Sequence, residues 1–75
     1  MKRRKVIGYE QTLEYLRKGY RIVSFPMYKN DYIYDSLNNE YITIRYEVLG
    51  KLFTNGIKLN KKMEHYTTYY SLKES

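Results

Sequence analysis

The chain has 75 residues, a formal net charge of +6, 11 tyrosines and 2 phenylalanines, and neither cysteine nor tryptophan. That length makes one domain, and a chain of this size buries only about 60% of the surface its unfolded form exposes. Without cysteine there is no disulfide and no thiolate metal site, and a single histidine cannot build a zinc centre.

A small domain with no staple needs an aromatic-rich core, self-association, or both. Tyrosine suits the first role, because its ring buries a large apolar area while its hydroxyl reaches a polar partner. No apolar run approaches the ~20 residues that span a bilayer. The basic start "MKRRKVIGYE" is not followed by the apolar stretch of a secretory leader. The expectation is a cytoplasmic protein. Residues 1–5 read as a basic, flexible tail and residues 6–75 as a single α+β domain. Lys2, Arg3, Arg4 and Lys5 in that tail are suited to phosphates through counterion release, or serve only as a solvated, frayed terminus.

No repeat, linker or low-complexity segment stands out along the chain. The first element is a helix over "YEQTLEYLRKG". Tyr9, Leu13, Leu16 and Tyr20 recur at a helical spacing, and Glu14 precedes Lys18 by one turn. Glu10 near the start and Arg17 and Lys18 near the end match the helix dipole, and Gly19 fits a left-handed C′ position. A strand over "YRIVSF" follows, stopped or kept at an edge by Pro26.

Next, "KNDYIYDSLNNEYITIRYEV" reads as a β-hairpin across "SLNN", and its register decides where the tyrosines point. An even loop puts Tyr32 and Tyr34 on one face with Tyr41, Thr43 and Arg45, a ring-and-arginine platform of the kind that stacks bases. It also leaves Asp31, Asp35 and Glu40 beside Ile33, Ile42 and Ile44, which is costly unless the carboxylates find partners. A three-residue loop of Leu37, Asn38 and Asn39 places Tyr34 opposite Ile42, Tyr32 opposite Ile44 and Asp31 opposite Arg45. The three-residue loop is the favoured register, with Asn39 at positive φ.

Residues 46–60, "YEVLGKLFTNGIKLN", fit two readings. A helix would align Tyr46, Leu49 and Phe53 and end at Asn55-Gly56. A hairpin would turn on "TNGI" with Leu52 opposite Leu59 and is slightly favoured. A last strand covers "EHYTTYYSL", with Tyr66, Tyr70 and Leu72 inward and His65, Thr67 and Tyr69 outward. The expected fold class is α+β, one N-terminal helix on a small, mostly antiparallel sheet of four or five strands.

No catalytic constellation is present. His65 stands beside Glu64 without an HExxH pattern, and no G-x-G-x-x-G or Walker motif occurs. No catalytic residue, cofactor or metal is assigned. The expected activity is non-catalytic binding at Arg21, Lys29, Tyr41, Arg45, Lys58, His65 and Tyr69, because arginine grips phosphate and tyrosine stacks or anchors an interface. The partner is expected to be a host protein, with a nucleotide or nucleic acid as the alternative. No membrane partner is expected, and self-association fits the size.

Within residues 9–35, "YEQTLEYLRKGYRIV" and "DYIY" resemble small phage anti-defence proteins, the group that includes sponges for the Thoeris signalling nucleotide and an inhibitor of CRISPR-Cas9. The resemblance implies a phage-encoded protein that inhibits or sequesters a host defence component. Those relatives often read Arg-Lys-x-Trp-Asn after the glycine, where this chain reads "SFPMYKN". No pocket residue is carried over.

Overall fold

A computed structural model describes residues 5–73. The elements run β1 (Val6–Ile7), α1 (Tyr9–Arg17), β2 (Ile22–Ser24), β3 (Asn30–Asp35), β4 (Glu40–Arg45), α2 (Tyr46–Thr54), β5 (Leu59–Glu64) and β6 (Thr67–Leu72). The strands form one sheet in the order β1-β4-β3-β2-β6-β5. All neighbours are antiparallel except β1 and β4.

The core lies on one side of this sheet. Ile7, Ile22, Ile33, Ile42 and Ile44 pack with Leu13 and Leu16 of α1 and Val48 and Leu52 of α2. Strand residues alternate between faces, so the opposite face carries Val23, Tyr32, Tyr34, Tyr41, Thr43 and Tyr69 by register. Neither α1 nor α2 packs on that second side, the open face of the sheet.

Both helices end in the same way. In α1, Gly19 sits at φ +97, its N–H donates to the Leu16 carbonyl, and the Tyr20 N–H donates to the Tyr15 carbonyl. In α2, Gly56 sits at φ +81, its N–H donates to the Phe53 carbonyl, and the Ile57 N–H donates to the Leu52 carbonyl. This paired pattern is a Schellman motif, which needs a left-handed residue that glycine supplies without strain. The Tyr15 and Tyr20 rings meet edge to face at 5.1 Å and complete the first stop.

The shared ending reflects a wider correspondence. Tyr9 and Tyr46 open the two helices, 37 residues apart, and Asn30 and Thr67 open β3 and β6 at the same spacing. The parallel pair aligns Val6 with Thr43 and Ile7 with Ile44, again 37 residues apart. The fold is therefore a β-α-β-β unit used twice, where the sequence showed no repeat. Only Ile7/Ile44, Tyr9/Tyr46, Glu10/Glu47, Gly19/Gly56 and Tyr32/Tyr69 keep the same residue type across the strands and helices.

Several expectations are corrected. Among the described residues there are two helices and six strands, not one helix and four or five strands. Residues 46–54 are helical, so Leu52 does not face Leu59; "TNG" is a helix stop, and the buried stripe is Val48 and Leu52 while Tyr46 and Phe53 are exposed. The last strand begins at Thr67, because His65 and Tyr66 form the β5–β6 turn at φ 48 and 66, which leaves Tyr66 exposed.

The β3–β4 register is also corrected. The loop has four residues, Ser36 to Asn39, so Tyr34 faces Tyr41, Tyr32 faces Thr43, Asp31 faces Ile44 and Asp35 faces Glu40. Two of the three carboxylates that argued against this register have local partners. Asp35 accepts the backbone N–H groups of Leu37 and Asn38 and the Asn38 side-chain amide, so it organises the loop itself. Asp31 accepts the Ser24 hydroxyl from the neighbouring strand. Asn39 does take positive φ, at 50, as the last loop residue.

Candidate functional site: the open sheet face

The four-residue loop turns the hairpin tyrosines away from the core. Tyr34 and Tyr41 sit opposite each other with ring centroids 4.9 Å apart and planes inclined by 38°. Tyr41 meets Tyr32 edge to face at 6.1 Å. Pro26 ends β2 early, and the turn it opens brings Phe25 and Tyr28 over Tyr32 at 6.1 and 6.2 Å. All these separations lie in the range where offset and edge-on ring pairs attract. The result is a continuous network of five rings, with Tyr32 buried beneath its neighbours and Tyr34 and Tyr28 exposed.

The second unit contributes differently. Tyr69, the counterpart of Tyr32, is covered by a cation in place of rings. The Arg21 guanidinium lies 4.1 Å from the Tyr69 ring centroid, a cation–π contact that holds the side chain over the sheet. Lys62 stands opposite Tyr69 on β5 and pairs with Glu64 at 2.9 Å. That hydrogen bond, with the charges of Lys62, Arg21 and His65, holds the Glu64 carboxyl below the usual carboxylate range. The open face thus has a ring-rich half on β3 and β4 and a cationic half on β6 and β5. A depression of about 260 Å³ lies between them, lined by Arg21, Val23, Phe25, Tyr34, Tyr41 and Tyr69.

The register also sorts charge. Asp31, Asp35 and Glu40 occupy positions on the helix side, with Ile33 and Ile42. Burial pushes the Asp31 carboxyl up, and the Ser24 hydroxyl only partly offsets it. The Asn38 side-chain amide pulls the Asp35 carboxyl down, aided by the Asn38 and Leu37 backbone N–H groups. Glu64 is left as the strand carboxylate on the open face, and Lys62 neutralises it.

Three of the residues singled out by sequence come together at the depression: Arg21, Tyr41 and Tyr69. Arg45 ends β4, precedes α2 and lines a separate depression with Val6, Tyr9, Glu47 and Lys51. Lys29 is exposed before β3, Lys58 is exposed before β5 with its carbonyl accepting the Lys73 N–H, and His65 is exposed in the β5–β6 turn. In the basic tail, Lys2, Arg3 and Arg4 lie outside the described residues, and the Lys5 carbonyl accepts the Thr43 N–H at 2.8 Å. Sequence reasoning missed Phe25 and Tyr28, and placed Tyr34 on this face only in the disfavoured even register. An aspartate heading a loop that ends in Asn-Asn was the signal for the even register, since Asp caps its own turn.

Among the described residues, no group of three or more His, Cys, Asp or Glu side chains is placed to hold a metal ion. No helix among them is long and apolar enough to cross a membrane. Comparison with protein-family models, curated proteins and solved structures found no match. The functional reading rests on the face itself.

Proposed function

We propose that this protein is a non-catalytic binding module that stacks bases of a single-stranded nucleic acid on its open sheet face. The observation that carries the reading is the ring network on the helix-free side, bordered by Arg21 with its guanidinium 4.1 Å from the Tyr69 ring centroid. Single-strand binders combine aromatic rings, on which bases of any sequence stack, with cations that follow the backbone. An arginine held over a tyrosine ring is placed to stack on a base as well. The net charge of +6 favours a polyanion.

The test is fluorescence anisotropy of a labelled single-stranded oligonucleotide between 50 and 200 mM salt, a range over which phosphate contacts weaken markedly. Affinity should fall steeply with salt and be lost in Tyr41→Ala with Arg21→Ala. Binding that ignores both salt and these substitutions refutes the reading.

One further observation favours a second reading, a phage-type inhibitor that sequesters a host protein such as a defence component. The Phe25–Tyr28 turn at the rim of the rings leaves Met27 90% and Tyr28 62% exposed. Methionine and tyrosine are enriched at protein interfaces. Such a complex would survive moderate salt and be weakened by Met27→Ser and Tyr28→Ser, not by loss of a lysine. A cytoplasmic setting and self-association are compatible with either reading.

A further inference from the structure

A second depression opens on the other side of the wall formed by Arg21 and Tyr34. Its volume is about 320 Å³, and its lining includes Lys18, Gly19 and Ser36 together with those two residues. It sits where α1 hands over to β2 and where β3 leaves the sheet, so both loops contribute. Its chemistry differs from that of the ring depression. It offers an ammonium, a guanidinium and a hydroxyl, and no carboxylate lines it. The neighbouring Asp35 carboxylate is held by the N–H groups of Leu37 and Asn38. Gly19 adds no bulk: its φ of +97 strains any other residue on backbone grounds, and a Cβ there would meet nothing within 4 Å. The Lys18 ammonium lies 5.8 Å from the Tyr15 ring centroid, and its flexible stem can redirect it.

We infer that the two depressions form one composite site, in which a planar base lies among Tyr34, Tyr41 and Tyr69 and the phosphate ester attached to it sits in the notch, held by Arg21, Lys18 and Ser36. This rests on the stacking reading and adds a direction to it. The nucleotide crosses the Arg21–Tyr34 wall, base over the sheet and phosphate over its end. Neither depression alone exceeds the lower part of the ~300–1,000 Å³ range of small-molecule sites, and the two joined fall well within it. Arg21 serves both halves, because a guanidinium stacks through its plane and donates through its edge.

The experiment titrates the full chain with adenosine, adenosine 5′-monophosphate and a short single-stranded oligoadenylate, followed by tyrosine fluorescence. The monophosphate should bind about tenfold more tightly than adenosine, the scale of a charge-assisted hydrogen bond. In a Lys18→Ala, Ser36→Ala variant that advantage should shrink to what Arg21 alone supplies while adenosine affinity is retained, which also reports that the rings remain in place. If the oligonucleotide outbinds the monophosphate and its advantage shrinks in the variant, the notch takes an internal phosphodiester. If the two are equal and the advantage of both shrinks, the notch takes a terminal phosphate. Either result supports the composite site. A phosphate advantage undiminished in the variant overturns it, as does binding of adenosine with no phosphate advantage at all. Tyrosine fluorescence that responds to none of the three ligands defeats the stacking reading itself.

Discussion

Tyr34 and Tyr41 face each other across the β3–β4 hairpin with ring centroids 4.9 Å apart. That pairing follows from a four-residue loop, and a loop shorter by one would have broken it and shifted each ring's partner on β4. Base stacking on such rings is worth about 1–3 kcal/mol per base. Tyr41→Ala should therefore weaken single-stranded oligonucleotide binding by roughly five- to hundredfold, read by anisotropy. Tyr34→Ala should do the same with little change in the urea midpoint, since Tyr34 is 42% exposed.

Asp31 is buried against the helix side and its carboxyl is pushed up from 3.8. The folded state thus holds the proton more tightly than the unfolded chain. The contribution of Asp31 to stability is greatest below pH 3.8 and declines as pH rises through the folded value. Asp31→Asn keeps an acceptor for the Ser24 hydroxyl and removes the buried charge. The variant should be more stable than the parent at pH 7, with the gap closing in acid, as measured by urea unfolding at both pH values.

Asp35, at the other end of β3, has the opposite sign. Its carboxyl is pulled below 3.8 by the Asn38 amide and the loop N–H groups. Its contribution is present above pH 3.8 and disappears as pH falls through the folded value. Asp35→Ala should destabilise the protein at pH 7 and become neutral in strong acid. The same unfolding series checks it.

The glycines separate by conformation. Gly56→Ala forces a left-handed alanine at φ +81 and should cost about 1–2 kcal/mol. Gly50 lies inside α2, and a Cβ there meets nothing within 4 Å. Gly50→Ala should therefore stabilise by about 0.5–1 kcal/mol. Thermal melts should shift by roughly 4–8 °C per kcal/mol in a domain of this size.

Much of the fold was legible where local chemistry acts alone. The spacing of Leu13 and Leu16, the left-handed Gly19 and the break at Pro26 all appear as read. The hairpin register is not legible in the same way, because Asp31 and Asp35 show no partner in the hairpin sequence read as an even-loop pair. Their partners, Ser24 and Asn38, emerge only once strands pair and the loop closes. In α2, Asn55-Gly56 is ambiguous by nature, since one left-handed residue serves a hairpin turn or a helix stop. The buried Val48 and Leu52 decide it through tertiary packing. β5 was hidden because "LNKKME" is an edge strand with lysines at its centre and little apolar alternation. At the site, Arg21, Tyr41 and Tyr69 were found by type, whereas Phe25, Tyr28 and Tyr34 depended on the register and on the turn after Pro26.

The central claim is that the helix-free face is the binding surface. It is tested most directly by titrating isotope-labelled protein with a short single-stranded oligonucleotide and following backbone amide shifts. The account predicts perturbations clustered at Arg21, Val23, Tyr34, Tyr41 and Tyr69, with the exposed amides of α1 and α2 unmoved. Shifts confined to the helices, or none at all at low salt, would contradict it.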